Sequence, residues 1–301
     1  MNKEITFSKT AIIFSARESI WKVLLSEQLY QTAWSAKLNT TWEPGAKIRF
    51  SGIWENVEYS DKGEVMINQA YSFLKYSYWS SFWEVADTPE EYCFISYKIN
   101  PLHDGSCEFT IAQDGFRDEK HYSDTVELLV KTMDIIKYES GKHDLTSRCE
   151  NAFSKLISFV DSAQQDLYNK PVANGWSVGQ VVEHVIMSSS GLKQFLSEAI
   201  SSSDPYDSKV PDIRTMMLNT TQKLKTPNVL IPPFNIYNSQ QHTQQLSAIS
   251  KEINDCIRTL DFRNKIETFP MPPFGYMSIF EWLTFTVFHI SRHTLQLERL
   301  L

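Results

Sequence analysis

The sequence predicts an α+β domain followed by an all-α domain, and three observations support this. In the first half, apolar residues alternate with polar ones at the period of two that is typical of half-buried strands. From about residue 147, apolar residues recur instead at the spacings of amphipathic helices. The length of 301 residues is also about twice that of an ordinary single domain. We therefore expect domains over residues 1–140 and 145–301.

The first half should run as strand, helix, several antiparallel strands and a long helix. A strand is expected at about residues 5–14, and Ser15-Ala-Arg-Glu18 has the spacing of a capping box that would open a helix. The clearest hairpin joins alternating runs from Cys93 and Cys107 through a turn at Asp104-Gly105. The other expected elements are strands at 47–54, 64–68 and 72–79, a turn at 61–63 and a closing helix at 125–138.

In the second half, two capping boxes mark the starts of helices. They are Ser177-Val-Gly-Gln180 and Ser278-Ile-Phe-Glu281, and each precedes a run with helical spacing. Two further helices are expected, one from Ser147 and one over about 239–260. The polar, glycine-bearing stretch from 138 to 147 is interpreted as a linker, and the prolines between 201 and 233 favour an irregular connection.

Three histidines are the main candidates for function. His289 and His293 are four residues apart, so a helix places both side chains on one face. His184, on another predicted helix, would complete a set of three nitrogens that leaves one metal coordination position open. The structural alternative is that they are hydrogen-bonded core residues. The sequence shows no clear general base beside them, and Glu183 and Glu281 are candidates for that role.

Composition narrows the function classes. The formal net charge is −7, which opposes nonspecific nucleic-acid binding, because such binding depends on neutralising phosphates with Lys and Arg. The sequence contains no run of about 18 apolar residues, the length needed to span a membrane, and no signal peptide is recognisable. The four cysteines are scattered, which favours reduced core thiols. We expect a cytoplasmic protein with neither nucleic-acid nor membrane partners, and the sequence leaves its oligomeric state open.

The residues around the histidines resemble the DinB-like family over about 145–301. The resemblance rests on Asn174-Gly-Trp-Ser177 with His184 seven residues later, on Phe274-Gly-Tyr-Met-Ser278, and on His289-x-x-Arg292-His293-x-x-Gln296. It implies an antiparallel four-helix bundle in which His184, His289 and His293 bind a divalent metal, zinc or nickel in most relatives. Relatives include transferases and isomerases that use low-molecular-weight thiols.

The first half resembles the helix-grip fold of the START and birch-pollen-allergen (SRPBCC) superfamily, in the branch related to the activator of heat-shock-protein ATPase. Ser15-Ala-Arg-Glu-Ser-Ile-Trp21, Trp42-Glu-Pro-Gly45 and Asp114-Gly-Phe116 carry the resemblance, whereas His121-Tyr122 replaces the usual Gly-Trp before the last helix. It implies a curved antiparallel sheet, a long C-terminal helix and an apolar cavity for a small ligand. The candidate lining residues, which are equally suited to an ordinary core, are Trp54, Tyr76, Tyr78, Trp79 and Trp83.

Three functions remain open. The first is a metal-dependent transferase or hydrolase acting on a small organic molecule, with a low-molecular-weight thiol as a possible co-substrate. The second is a non-catalytic ligand-binding or sensor protein with a structural metal. The third, a co-chaperone, rests only on the fold resemblance.

Overall fold

The computed structural model describes residues 5–171, 175–221 and 224–299. Its internal contacts divide the chain into two compact units, Met1–Asp144 and Leu145–Leu301. The fold class predicted from sequence is confirmed: a seven-stranded antiparallel sheet with a long helix comes first, and a helical region follows.

The first unit contains seven strands, two short helices and the start of a long helix. In chain order these are β1 (Thr6–Ile13), α1 (Arg17–Leu24), α2 (Glu27–Trp34), β2 (Ala36–Asn39), β3 (Lys47–Trp54), β4 (Val57–Gln69), β5 (Phe73–Trp79), β6 (Cys93–Pro101), β7 (Cys107–Asp114) and α3 (Glu119–Ser162). Short 3₁₀ turns at Ser81–Trp83 and Pro89–Glu91 separate β5 from β6.

The sheet has the order β1-β7-β6-β5-β4-β3-β2, and each neighbouring pair is antiparallel. One face packs into an apolar core together with α3. Tyr97 and Phe109 of the sheet belong to the same buried cluster as Leu129, Met133 and Ile136 of α3. The alternation that predicted the β6–β7 hairpin arises because every second residue of these strands faces this core.

The predicted turn at 61–63 is wrong, because β4 runs through it without interruption. Gly63 is required there for a different reason. A Cβ at this position would lie 1.8 Å from the backbone oxygen of Ser77 on β5, so only glycine permits the approach of the two strands. The β3–β4 turn instead uses Glu55 and Asn56, both with positive φ.

The capping box predicted at Ser15 is also wrong. The cap residue of α1 is Ala16, which makes no side-chain capping bond. The backbone N–H of Ala16 donates instead to the Asp144 carboxylate at 2.9 Å. A residue distant in sequence therefore accepts from the N–H of the cap residue, which in the predicted capping box would donate to Glu18.

The expected linker at 138–147 is replaced by helix, since α3 is continuous through it. After α3 come α4 (Gln165–Tyr168), α5 (Val178–Ser189), α6 (Leu192–Leu196), α7 (Val210–Leu218), a 3₁₀ turn (Asn228–Leu230), α8 (Ser239–Thr259) and α9 (Ile279–Glu298). α7 was not predicted. It lies in the proline-bearing stretch, but Pro211 occupies its first turn, where proline is compatible with a helix.

Both capping boxes predicted in the second unit are confirmed. The Ser177 hydroxyl accepts from the Gln180 N–H at 3.2 Å, and the Gln180 side chain accepts from the Ser177 N–H at 3.0 Å. Ser278 and Glu281 make the equivalent pair at 3.0 and 2.9 Å. These caps set where α5 and α9 begin. Over the described ranges, we find no helix with the length and apolarity that crossing a bilayer requires.

Candidate metal centre

Helices α5 and α9 bring the three predicted histidines together. His184 is the seventh residue after the cap Ser177, and His289 and His293 lie on consecutive turns of α9. The nitrogen Nε2 of His289 is 3.2 Å from Nε2 of His184 and 3.0 Å from Nε2 of His293. One ring atom from each residue therefore lies within 4.8 Å of the other two.

These distances fit a shared cation. Metal–nitrogen bonds of about 2.0–2.1 Å at tetrahedral angles separate two ligand nitrogens by about 3.3 Å. A neutral imidazole nitrogen carries either one proton or one lone pair, so a hydrogen bond would connect His289 Nε2 to only one of its two neighbours. A cation accepts all three lone pairs at once. The three nitrogens are thus a candidate donor set for one cation.

Two outer hydrogen bonds orient the rings. Nδ1 of His184 is 2.8 Å from the carbonyl oxygen of Leu230, and Nδ1 of His293 is 2.9 Å from Oε1 of Gln296. With an oxygen acceptor at each Nδ1, the ring proton belongs there, and Nε2 keeps its lone pair for a metal. The Leu230 carbonyl carries no sequence signal, because any residue of that loop supplies the same oxygen.

Burial favours neutral imidazoles. It is the main cause that lowers the pKa of His184, lowers the pKa of His293 to about 4, and puts the pKa of His289 well below its usual value. The neighbouring imidazoles lower the last two further. Each ring is therefore favoured in its neutral form, which has one ring nitrogen with a free lone pair, as ligation requires.

Aromatic rings surround the cluster. Phe285 stacks on His289 with centroids 5.8 Å apart, and Trp176 lies 5.3 Å from His184. Phe274 packs at 6.3 Å against Phe285 and also lines a cavity of about 490 Å³ beside α7. The other lining residues of this cavity are Lys209, Asp212, Thr215, Met216, Asn219 and Pro273. The cluster is thus enclosed on these sides by flat apolar groups.

Glu183 and Glu281, the two sequence candidates for catalysis, bind other partners. Glu281 is 1% exposed and accepts the N–H groups of Ser278 and Lys209 at 2.9 and 2.7 Å. It also lies eight residues before His289, about 12 Å along the helix axis. The Oε2 atom of Glu183 lies 3.1 Å from Nε2 of His242. Both carboxylates therefore have partners other than the three histidines.

Two histidines outside the cluster, His242 and His121, are buried, with only 3% and 6% of their surface exposed. His242 lies between Glu183 and the Tyr168 hydroxyl, which is 2.6 Å from its Nδ1. The signal that could have identified it is its position on the buried face of α8, in register with Leu246 and Ile249.

The five aromatic candidates of the first unit do not form one group. Tyr76 is fully buried in the core, and Tyr78 contacts Trp83 with ring centroids 5.6 Å apart. Trp54 is 53% exposed beside the β3–β4 turn. Trp79 follows Tyr78 in the strand, so it faces the other side of the sheet, where the Lys62 ammonium lies over its ring. Only Tyr76, Tyr78 and Trp83 remain positioned to line an interior site.

An antiparallel sheet closed by a long helix, followed by helices that bring three histidines together, defines a two-domain helix-grip and helical-domain protein. Residues 147–297 match the family model of the DinB superfamily, and residues 15–138 match that of Activator of Hsp90 ATPase homolog 1-like protein. The chain therefore belongs to the DinB superfamily, a metal-binding superfamily, and its first half carries the Hsp90-ATPase-activator-like domain. Asn174 of the DinB-like motif lies outside the described residues.

Individual relatives are distant. The uncharacterized protein YuaE of Bacillus subtilis (strain 168) is 22% identical over 142 residues, which are 46% of this chain and 85% of YuaE. The solution structure of ChR145 from Cytophaga hutchinsonii is 22% identical with a TM-score of 0.41, covering 46% of this chain and 94% of that one. The Aha1 dimer from Colwellia psychrerythraea is 10% identical with a TM-score of 0.36, covering 45% and 96%.

Proposed function

We propose that this protein is a divalent-metal-dependent enzyme of the thiol-transferase or hydrolase type that acts on a small organic molecule. His184, His289 and His293 are the proposed ligands. The observation that carries the proposal is the convergence of their Nε2 atoms, at 3.2 and 3.0 Å, with an oxygen acceptor at Nδ1 of both His184 and His293. Zinc or nickel is the proposed ion, as the family resemblance implies, and both suit imidazole donors, which also accept other first-row ions.

The chain supplies a donor set whose rings are oriented by their neighbours. The Leu230 carbonyl and the Gln296 amide accept from two of the rings, and Phe285 and Trp176 pack against His289 and His184. A bound divalent ion would lower the pKa of a coordinated water or thiol and so supply a nucleophile at neutral pH.

A low-molecular-weight thiol is the proposed co-substrate, and the chain's own cysteines favour this. All four are buried, and burial raises the pKa of each, to about 12 for Cys149 and about 11 for Cys107 and Cys256. Their thiolate forms are therefore scarce at neutral pH, so a reacting thiol has to come from a diffusible molecule. Free, buried cysteines also suit the proposed cytoplasmic location.

We further propose that residues 1–140 and 145–301 act as separate domains, with small-molecule binding in the first and the metal in the second. The two family matches, which meet between 138 and 147, support this division. Domains of the first kind bind small ligands or partner proteins, and domains of the second kind bind metals. The proposed division of roles follows from these two domain types.

Metal analysis of the purified full-length chain tests the site. We expect about one divalent ion per chain and its loss in His289→Ala. His103→Ala is the matched control, since His103 is exposed in the other unit. Circular dichroism and a folded elution volume establish that His289→Ala is intact. A wild-type chain that stays metal-free after dialysis against zinc and nickel would remove the basis of the proposal.

Turnover is tested separately. The metal-loaded and chelator-treated proteins are assayed with glutathione plus chlorodinitrobenzene for thiol transfer, and with p-nitrophenyl acetate for hydrolysis. Activity that requires the metal and disappears in His289→Ala supports the enzyme. Activity that survives chelation contradicts it.

A non-catalytic metal and ligand-binding protein is the second candidate. It is favoured by one observation: Glu183 and Glu281, the two candidate catalytic carboxylates, are both engaged in hydrogen bonds to groups other than the three histidines. Stoichiometric metal binding with no turnover in either assay would select this function. A co-chaperone role ranks last, because it rests on the domain type alone.

A further inference from the structure

The inner face of the first unit contains a glutamine, Gln113, whose side-chain amide makes no hydrogen bond within the described residues. Gln113 alternates along β7 with Phe109 and Ile111, which belong to the core beneath α3. Its side chain is 2% exposed, and neither atom of its amide has a hydrogen-bond partner among the described residues. Buried polar groups are almost always hydrogen-bonded. Gln113 therefore indicates an absent group that both donates and accepts.

A second buried polar atom, Nε2 of His121, also lacks a hydrogen-bond partner within the described residues. His121 lies in the first turn of α3 and is related by four-residue steps to Leu129 and Met133, which pack into the core. The backbone N–H of Arg117 donates to its Nδ1 at 3.3 Å, so the proton of the neutral ring is on Nε2. Within the described part of the chain, Nε2 has no acceptor. Burial lowers the pKa of His121 to about 4, which keeps the ring neutral.

Flat rings border this region. Trp83 and Phe116 lie 4.6 and 5.3 Å from the ring of His121, and Tyr78 lies 5.6 Å from Trp83. Gln113 pairs with Ile95 of β6, and the next inward residue of that strand, Cys93, pairs with Tyr78. The unpartnered amide and these rings therefore occupy the same end of the sheet.

The chemistry of Gln113 restricts what binds. Its N–H donor and its carbonyl acceptor lie side by side in one plane, so the complementary group presents an acceptor and an N–H donor on adjacent atoms in one plane. A cyclic amide has this arrangement. A charged group would lose its hydration in so buried a place, whereas a neutral planar ring packs well against aromatic side chains.

We propose that the first domain binds a small, neutral, planar cyclic amide, which pairs with both atoms of the Gln113 amide while His121 Nε2–H serves as an additional donor. This deepens the small-molecule binding proposed above for the first domain and rests on it, but it does not depend on the proposed metal centre. A failed metal analysis leaves this site untouched, and the converse also holds.

Nuclear magnetic resonance of the full chain, with ¹⁵N-labelled glutamine, tests the site. The probe is 2-pyridone, and N-methyl-2-pyridone, which has the same ring but no N–H, is the matched control ligand. Loss of a signal in Gln113→Leu assigns the Gln113 side-chain amide. We expect 2-pyridone to shift that signal saturably and to bind at least about tenfold more tightly than the N-methyl compound, because one buried hydrogen bond distinguishes them.

Variants complete the test. Gln113→Leu should weaken 2-pyridone binding at least about tenfold without lowering Tm, since its amide has no partner to lose. Gln69→Leu makes the same change at an exposed position and should bind normally. The proposal is overturned if the Gln113 signal does not move up to the solubility limit of 2-pyridone, or if both ligands bind equally. It is also overturned if a crystal structure with 2-pyridone present shows only ordered water beside Gln113.

Discussion

The hydrogen-bonded chain Tyr168–His242–Glu183 leads to a quantitative prediction for Tyr168→Phe. Tyr168 is fully buried, and burial raises the pKa of its hydroxyl, so it remains the donor to Nδ1 of His242 at 2.6 Å. The proton on Nε2 of His242 is then directed to Glu183. Phenylalanine keeps the ring but leaves the Nδ1 lone pair of a buried imidazole without a donor.

The expected loss follows from that unpaired group. Leaving one buried acceptor unsatisfied costs about 1–3 kcal/mol, and the small void left by the hydroxyl adds little, because no apolar volume is removed. For a domain of roughly 150–250 residues, each kcal/mol lowers Tm by about 2–4 °C. Tyr168→Phe should therefore lower the Tm of the second unit by several degrees.

Urea unfolding at pH 7 and differential scanning calorimetry measure this loss. Tyr276→Phe is the matched control, because Tyr276 is 45% exposed and surface substitutions usually change stability by less than about 0.5 kcal/mol. If the two variants have the same free energy of unfolding, the hydrogen-bonded chain contributes nothing, and its proposed structural role is wrong.

Three further predictions concern the metal centre and its surroundings. Gln296→Leu removes the acceptor at Nδ1 of His293 and should weaken metal affinity by about 10–100-fold in a chelator competition, whereas Gln194→Leu, exposed on α6, should not. Burial lowers the folded-state pKa of His293 from 6.5 to about 4. The unfolded chain therefore binds more protons below pH 6.5, and the free energy of unfolding of the metal-free protein should fall as the pH drops from about 6.5 to 4. His293 lowers the free energy of unfolding by up to about 3 kcal/mol over this range, at about 1.4 kcal/mol per pH unit. Denaturant unfolding at stepped pH values measures this change. A free energy of unfolding that is constant between pH 6.5 and 4 contradicts the prediction. Glu281→Leu should destabilise the fold by at least about 2 kcal/mol, because two N–H groups lose their acceptor, while metal content stays at the wild-type level. If Glu281→Leu is folded but loses its metal, the Glu281 carboxylate contributes to the metal centre and this prediction is wrong.

Features encoded by a few neighbouring residues were predictable from the sequence. The caps at Ser177 and Ser278 depend only on a residue three positions later, and both form as expected. The four-residue spacing of His289 and His293 likewise fixes a common helix face. No local rule brings α5 to α9, so grouping His184 with them rested on the chemistry of three-nitrogen metal sites and on the family resemblance.

Features decided by distant partners were not predictable. The sequence alone suggests that Gly63 is a turn residue, but glycine is required there because the backbone carbonyl of Ser77 lies against it. The stretch from 138 to 147 looks like a linker, yet it stays helical and buries Ser140 and Asp144, the latter as acceptor for Ala16. The Leu230 carbonyl beside His184 comes from a loop whose sequence gives no sign of the contact. In each case the deciding atom belongs to another element.

The continuity of α3 has a practical consequence for dissecting the chain. A cut between Asp144 and Leu145, where the two units meet, would sever a helix in mid-course and leave about four amide protons and four carbonyls without partners on the new ends. Proteases, which prefer extended and exposed backbone, should spare this junction. Fragments meant to isolate either half should therefore carry overlapping ends, the first continuing to residue 162 and the second beginning at residue 119.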